Sequence, residues 1–247
     1  MHLFKSKKKQ ARDNAVRTFQ IISKNASFPY VEAYKTLRTN LSFVSVSNAY
    51  KKIIVTGAVP EEGKTNVAIN LAISLSESGA KVLMVDCDLR KPMVQKYLRI
   101  AKKVSTGLTN VLSGAQAWPD TVVHFKDIGI DVLVAGAIPP NPAELLGSAK
   151  MGEVIEEMAA YYDYVIFDTP PVSVVTDAAV LSRYTDGVIL VVRQDHAHID
   201  QIQLAKKNLE TVGANIIGAV LNDFDAKATV RESGYYYSYN YDYQNNG

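Results

Sequence analysis

The sequence is poor in cysteine and has no long apolar stretch. Its 247 residues include a single cysteine, Cys87, so no disulfide can form within the chain, which is typical of a reducing compartment. No apolar run approaches the roughly 20 residues that a membrane-spanning helix needs. The N-terminus carries cations without a following apolar stretch, unlike a signal peptide. These absences predict a soluble, intracellular protein.

A large net charge is also absent. The 27 Lys and Arg residues nearly balance the 25 Asp and Glu residues, and the net charge of +2 gives no indication of nucleic-acid binding. The cations are unevenly placed, because residues 5–9 read Lys-Ser-Lys-Lys-Lys and Arg12 and Arg17 follow. Such a run is either a solvated terminus or a segment attracted to anionic lipid or to an acidic partner. The sequence leaves both interpretations open.

Short apolar runs alternate with amphipathic segments from residue 52 onward. The runs are KIIVTGA (52–58), KVLMVDCD (81–88), IDVLVAG (130–136), DYVIFDTPP (163–171), GVILVVR (187–193) and NIIGAVLND (215–223). They lack polar alternation, which is typical of strands covered on both faces. After the first run, Val67, Leu71 and Leu75 recur at helical spacing until Gly79, a helix-ending residue. This alternation predicts an α/β fold with a doubly wound, mostly parallel sheet.

Three regions follow from this organisation. Residues 1–50 are predicted to form a basic arm followed by a helix, about 29–45, and residues 51–225 to form the strand-and-helix domain. Residues 226–247 end in GYYYSYNYDYQNNG, which has neither helical nor strand periodicity and predicts a flexible tail.

The stretch GAVPEEGKTN (57–66) has the pattern of a P-loop. A strand that leads into a helix near Gly63 would aim backbone N–H groups at phosphate oxygens. Lys64 would reach the β- and γ-phosphates and the Thr65 hydroxyl would bind Mg²⁺. The pattern G-x-x-x-x-G-K-[ST] asks for glycine at position 58, where the chain has Ala58. We therefore expect ATP and Mg²⁺ to bind here, in contact with Ala58, Val59, Pro60, Glu61, Glu62, Gly63, Lys64, Thr65 and Asn66.

Acidic residues end two of the predicted strands. Asp86 and Asp88 are two residues apart, which predicts that both carboxylates point to the same side of a strand. Asp168 ends YVIFD, as in a Walker B motif, and would contact the Mg²⁺ shell. Since the carboxyl ends of parallel strands bind ligands at one edge, all three carboxylates would serve a metal-phosphate centre for phosphoryl transfer. The alternative is helix capping and solvation at a strand end.

The C-terminal region holds six of the fourteen tyrosines within residues 235–243. They are Tyr235, Tyr236, Tyr237, Tyr239, Tyr241 and Tyr243. Such a run could be a stacking platform for bases or sugars, or a weakly ordered terminus. An extended segment rich in phenolic hydroxyls is also a good kinase substrate, because it can enter a catalytic cleft without unfolding.

Together these residues resemble the bacterial tyrosine kinases of the capsule and exopolysaccharide system. The resemblance covers nearly the whole chain and rests on the P-loop with Pro60, on VLMVDCDLR (82–90), on FDTPP (167–171) and on the tyrosine cluster. A single Walker motif would also fit the partition and cell-division ATPases, whereas a second Walker-type motif followed by a tyrosine-rich tail is far more specific. The fold that it implies is a P-loop NTPase of the deviant-Walker type.

The resemblance implies an ATP-dependent autokinase that phosphorylates its tail tyrosines in trans and regulates capsule or exopolysaccharide synthesis and export. Lys64 would bind phosphate, and Asp86 would be the base or a metal-side carboxylate. Asp88 and Asp168 would complete the catalytic and metal site with Thr65. The resemblance also places Asn222 and Asp225 on the adenine side.

Family members form ring-shaped octamers through a Glu-x-x-Arg-x-x-Arg motif on the N-terminal helix. The matching residues here are Glu32, Lys35 and Arg38, and lysine keeps the charge of arginine but loses its bidentate geometry. The alternative is an ordinary charged helix face. The resemblance further implies a separate transmembrane adaptor of the chain-length-determinant type, recruitment to the inner face of the cell membrane, and a cognate tyrosine phosphatase. A partition-type ATPase switch and a non-catalytic scaffold are the rival functions.

Overall fold

One seven-stranded sheet organises the protein, whose computed structural model describes residues 19–23, 25–45, 49–100 and 105–225. The strands are β1 (Lys52–Gly57), β2 (Val82–Asp86), β3 (Val123–Phe125), β4 (Ile130–Leu133), β5 (Tyr164–Asp168), β6 (Gly187–Arg193) and β7 (Ile216–Asn222). The α-helices in these ranges are α1 (Phe28–Val44), α2 (Lys64–Ser76), α3 (Val94–Tyr97), α4 (Leu108–Leu112), α5 (Pro142–Leu146), α6 (Ala149–Tyr161), α7 (Asp177–Leu181) and α8 (Ile199–Thr211). Short 3₁₀ turns cover Trp118–Thr121 and Ser182–Tyr184.

The strand order is β3-β4-β2-β5-β1-β6-β7, and every neighbouring pair is parallel except β3 with β4. The predicted α/β class with a doubly wound, mostly parallel sheet is therefore confirmed. Strand β3 was not predicted, because three residues at an antiparallel edge give no apolar run. Strand β1 lies between β5 and β6, so the loop that follows it opens at the centre of the sheet.

The sheet separates two apolar cores, since successive side chains of a strand point to opposite faces. In β1, Ile53 and Val55 pack with α2, whereas Ile54 packs on the other face with α6 and α8. Val67 and Leu71 of α2 are fully buried, as their helical spacing predicts. Helix α2 ends at Ser76, and Gly79 lies in the turn after it with a left-handed φ of 93°.

Strand β7 departs from the expectation that all predicted strands are covered on both faces. Among the described residues it pairs only with β6, and its Gly218, Ala219 and Leu221 are exposed. The apolar run NIIGAVLND therefore belongs to an edge strand. Its sequence does not indicate this, because it lacks the polar alternation typical of a strand with one solvent-exposed face.

Helix α1 packs along α2 through both apolar and polar contacts. Its buried side chains are Tyr34 and Leu41, and Pro29 lies in its first turn, where the missing N–H removes no helical hydrogen bond. The predicted helix at about 29–45 is thus confirmed within a residue at each end. Within the ranges given above, none of the helices has the length and apolar content that crossing a membrane requires.

Candidate active site

The loop after β1 turns tightly into α2 at the carboxyl edge of the sheet. Two residues adopt left-handed backbone conformations, Glu61 with φ of 66° and Gly63 with φ of 86°. A Cβ atom on Gly63 would also collide with the side-chain amide of Asn222. Glycine is therefore required at position 63 on both conformational and steric grounds. The strand, loop and helix have the arrangement that the P-loop pattern predicts.

Lys64 and Thr65 form the first turn of α2 and point toward the neighbouring strand ends. The Thr65 hydroxyl donates to Oδ2 of Asp168 at 2.6 Å. The Lys64 ammonium lies 3.4 Å from the Val59 carbonyl oxygen, and the residue is 8% exposed. Burial lowers the pKa of Lys64, while the negative charges of Asp168, Glu62 and Asp88 oppose that change in decreasing order. The P-loop cation therefore lies close to three carboxylates.

Asp86 and Asp168 end adjacent strands and are paired in register. Asp86 is fully buried, and its two oxygens accept the N–H groups of Asp88 at 3.2 Å and Val94 at 3.1 Å. Burial raises the pKa of Asp86 well above its usual range, and the negative charge of Asp168 raises it further. A proton is therefore held easily at this position.

Asp88 lies beyond β2, which ends at Asp86, so the expectation that strand alternation aligns the two carboxylates is wrong. The strand ladder stops because the chain turns there: Oδ1 of Asp88 accepts the N–H groups of Arg90 at 3.3 Å and Lys91 at 2.9 Å. Asp88 is nevertheless close enough to add to the raised pKa of Asp86. A turn, and not a shared strand face, places the two carboxylates together.

Of the three predicted carboxylates, Asp168 is the one that accepts a hydrogen bond from the P-loop residue Thr65. Burial and the charge of Asp88 raise its pKa to about 7, although the Thr65 hydrogen bond and Lys64 act in the opposite direction. Its Oδ1 is buried and has no hydrogen-bond partner among the residues that the structure describes. A buried carboxylate oxygen without a partner is a costly feature that a bound cation would satisfy.

The residues present fit Mg²⁺ only together with a nucleotide. Across the described ranges, no group of three or more His, Cys, Asp or Glu side chains is arranged to hold a metal ion. The three predicted carboxylates interact electrostatically but do not form such a cluster by themselves. Mg²⁺ usually binds through one or two carboxylates with substrate phosphates and waters, and Thr65 with Asp168 matches that requirement.

The remaining predicted nucleotide-site residues have different roles in the structure. Ala58 is fully buried, and the backbone N–H of Val59 donates to the Glu62 carboxylate. The Asn66 side chain faces α1, because its Oδ1 accepts both Tyr30 and Tyr34 hydroxyls at 3.1 Å. Only the backbone of Asn66 remains suited to phosphate contact.

The predicted adenine-side residues lie at the end of β7. The Asn222 amide donates to the Glu62 carbonyl at 2.8 Å, so this side chain holds the P-loop from outside. The backbone N–H of Asp225 donates to the Gln194 side chain at 2.7 Å, which ties the ends of β6 and β7 together.

Three residues of the site were not predicted from sequence. Arg90 makes a bidentate contact with buried Asp177, at 2.7 and 3.0 Å, and so fixes the turn that carries Asp88. The His196 ring Nε2–H donates to the Pro60 carbonyl at 2.8 Å. Arg90 is the last residue of the motif VLMVDCDLR. Its partner Asp177 could not be predicted, because it lies 87 residues away and no local pattern indicates the contact.

The predicted oligomerisation residues all make contacts within the chain. Lys35 forms an ion pair with Glu32 at 2.7 Å, one helical turn away. The Arg38 guanidinium donates to the Ser74 carbonyl in the last turn of α2. The six tail tyrosines and the cations of residues 5–17 lie outside the described residues, as does the predicted tail as a whole.

The fold and this site define a P-loop nucleotide-binding protein. Residues 50–217 match the family described as AAA domain. Tyrosine-protein kinase YwqD of Bacillus subtilis (strain 168) is 42% identical over 191 residues, covering 77% of this chain and 80% of that protein. Two other curated relatives are longer: the matched region covers 31% of a putative tyrosine-protein kinase of Klebsiella pneumoniae and 28% of tyrosine-protein kinase etk of Escherichia coli (strain K12).

Two solved structures agree with this similarity. The chimerical protein CapA2B2 is 33% identical with a TM-score of 0.77, covering 81% of this chain and 88% of that one. The kinase domain of Escherichia coli tyrosine kinase ETK is 35% identical with a TM-score of 0.75, covering 85% of each chain. The chain therefore belongs to the bacterial tyrosine-protein kinases, and the prediction of a protein-tyrosine kinase of the capsule and exopolysaccharide type is confirmed.

Proposed function

We propose that the protein transfers the γ-phosphoryl group of ATP to its own C-terminal tyrosines, in trans between subunits, in a Mg²⁺-dependent reaction. The observation that carries the proposal is the hydrogen bond of 2.6 Å from Thr65 to the buried Asp168 beneath the P-loop, with one Asp168 oxygen lacking a partner among the described residues. This arrangement suits a cation bound between protein and phosphate.

The residues of the P-loop supply binding and orientation. Backbone N–H groups at the start of α2 and the Lys64 ammonium hold the β- and γ-phosphates. Thr65 and Asp168 would hold Mg²⁺, which would neutralise charge on the phosphates. Lys64 has to leave the Val59 carbonyl, a weak contact at 3.4 Å, to reach a phosphate oxygen.

The Asp86 and Asp88 pair accepts the phenolic proton. The tyrosine Oη forms a bond to the γ-phosphorus, the bond to the β,γ-bridging oxygen breaks, and ADP leaves with that oxygen. A carboxylate whose pKa is raised by burial, as for Asp86, holds such a proton well. Asp88 is partly exposed and bonded to the backbone N–H groups of its own turn, so it gives the hydroxyl access to the pair.

The acceptors that we propose are Tyr235, Tyr236, Tyr237, Tyr239, Tyr241 and Tyr243, which follow the kinase domain of residues 51–225. One of the similar solved structures is a chimera, CapA2B2, which supports a second chain as partner. We propose that this partner is a transmembrane adaptor that brings the kinase to the inner face of the membrane. A cognate phosphatase would remove the phosphates, and the enzyme would assemble as a ring-shaped octamer through α1.

The direct test is mass spectrometry of the full-length protein after incubation with ATP and Mg²⁺. We expect phosphate on the segment containing residues 235–243 and none after Lys64→Met or Asp168→Asn substitution. Transfer in trans is tested by mixing a variant whose six tail tyrosines are phenylalanine with the Lys64→Met variant. Phosphate on the tail of the Lys64→Met chain supports the proposal. Wild-type protein that stays unmodified, with the adaptor's cytosolic segment present, would favour the ATPase-switch or scaffold functions.

A further inference from the structure

We infer that the buried Glu62 side chain is a positioning residue that braces the P-loop from inside, and that position 57 is glycine because the Glu62 carboxylate fills the space beside it. The inference rests on the proposed function in one respect, namely that the loop receives the phosphates of ATP. We call the contacts of the Glu62 carboxylate the internal brace.

The burial of Glu62 is unusual for an acidic residue of a surface loop. It is 0% exposed, whereas its neighbour Glu61 is exposed. A carboxylate leaves water at a large cost unless hydrogen bonds compensate, so its position requires a structural reason. Glu62 does not reach outward toward a ligand but lies under the loop that carries it.

One oxygen of the carboxylate pairs with the backbone of its own loop. Oε2 accepts the Val59 N–H at 2.9 Å, whereas Oε1 is buried without a hydrogen-bond partner among the described residues. The carbonyl of the same Val59 residue contacts the Lys64 ammonium at 3.4 Å. The brace therefore fixes Val59, whose carbonyl contacts Lys64, before a nucleotide binds.

Gly57 is the steric counterpart of this brace. A Cβ atom at position 57 would collide with Oε2 of Glu62, and would lie 3.0 Å from the Val191 carbonyl and 3.2 Å from Lys64 Cδ. Gly57 does not have a left-handed φ, so the reason for glycine here is steric: a side chain at position 57 would displace the Glu62 carboxylate. This accounts for the glycine at position 57.

Two outer contacts complete the support of the loop. The His196 ring donates to the Pro60 carbonyl at 2.8 Å, and the Asn222 amide donates to the Glu62 carbonyl at 2.8 Å. Glu62 is thus held through both its main chain and its side chain. A loop shaped before its ligand binds loses less conformational freedom on binding, so the brace acts on nucleotide capture more than on phosphoryl transfer.

The first experiment compares Glu62→Ala, Glu62→Gln and the control Glu77→Gln, an exposed residue just after α2. Glu62→Ala removes the acceptor, and we expect a KM for ATP about tenfold higher with kcat changed less than threefold. Glu62→Gln keeps an acceptor oxygen and should stay within about threefold of wild type. Equal KM values for Glu62→Ala and wild type would overturn the inference.

Amide hydrogen exchange in nucleotide-free protein gives a readout that does not depend on activity. The Val59 N–H should exchange at least about tenfold faster in Glu62→Ala and remain protected in Glu62→Gln. Unchanged exchange in Glu62→Ala contradicts the brace even if the wild type proves to use no ATP. Wild type that neither binds nor turns over ATP contradicts the proposed function alone.

The second experiment crosses Gly57→Ala with Glu62→Ala. Gly57→Ala should raise the KM for ATP at least tenfold in wild type, but less than about threefold when Glu62 is already alanine, because the colliding oxygen is gone. If Gly57→Ala alone fails to fold, recovery of a folded protein in the double variant supports the same conclusion. The steric relation would be refuted if Gly57→Ala raised the KM for ATP equally in both backgrounds. It would also be refuted if Gly57→Ala failed to fold and the double variant did not fold either.

Discussion

Replacing Asp168 by asparagine should stabilise the nucleotide-free protein while abolishing phosphoryl transfer. Asp168 is 1% exposed, next to the fully buried Asp86, so two carboxylates share a site that water does not reach. Asparagine keeps an oxygen to accept the Thr65 hydroxyl and removes one negative charge. Its amide can donate toward the carboxylates that Asp168 now repels.

The magnitude follows from the pKa of Asp168. Burial, with a further contribution from the charge of Asp88, raises that pKa from 3.8 to about 7. A difference of roughly three pKa units corresponds to roughly 4 kcal/mol of destabilisation when the carboxylate is ionised. Asparagine remains a buried polar group and recovers only part of this, about 1–3 kcal/mol. For a chain of this size the gain corresponds to about 2–12 °C in Tm.

The stability that Asp168→Asn gains over wild type should increase with pH. Because the folded pKa of Asp168 lies above the unfolded one, the folded protein binds the extra proton between about pH 4 and pH 7. Wild-type stability therefore falls as the pH rises through that window. The Asp168→Asn variant lacks this titration, so its stability advantage over wild type should grow from pH 5 to about pH 7 and level off above that.

The assay is thermal or urea unfolding of wild type and Asp168→Asn in EDTA at pH 5 and pH 8. Asp127→Asn serves as a matched control, because Asp127 is an exposed aspartate far from the site in sequence, and it should change stability by less than about 0.5 kcal/mol. The reasoning fails if Asp168→Asn is less stable than wild type at pH 8. It also fails if the difference between the two proteins is the same at both pH values.

Three further outcomes are expected. Lys64→Met should lower kcat/KM for ATP by at least about 100-fold, because the variant lacks the P-loop cation, and steady-state kinetics would check this. Arg90→Lys should lose the bidentate contact to Asp177 and cost about 1–3 kcal/mol, measured by urea unfolding, with a lower kcat as the Asp88 turn loosens. Asn70→Leu should remove the acceptor of the Ile22 N–H, a 2.7 Å hydrogen bond, and speed amide exchange at that position by at least about tenfold. An unchanged exchange rate there would contradict the assigned contact.

The sequence was sufficient to predict the sheet and the P-loop because both depend on short-range patterns. Six apolar runs of the right length identify six strands, and GKT after the first run identifies the helix start. Strand β3 and the short helices around 94–97 and 177–181 could not be predicted, because they span only three to five residues. Such elements are fixed by contacts with the sheet and not by their own periodicity.

The parts of the site that escaped prediction depend on residues distant in sequence. Asp177 lies 87 residues from Arg90, and His196 lies 136 residues from Pro60. The orientation of Glu62 escaped for another reason: a charged residue in a polar loop is expected to face solvent. Its burial becomes understandable only when Gly57 and the Val59 N–H are seen beside it.

The free site contains an electrostatic conflict that the substrate complex is suited to resolve. Lys64 is the cation that opposes the buried charges of Asp168 and Glu62, and it is itself disfavoured by burial. When Lys64 turns to a phosphate, Asp168 loses its nearest compensation unless another cation replaces it. Under the proposed function, a divalent cation that arrives with the nucleotide would supply that charge, so phosphate capture by Lys64 and metal binding by Asp168 should be cooperative. Nucleotide without metal would then leave the carboxylates uncompensated, and ATP in EDTA should raise Tm far less than ATP with Mg²⁺.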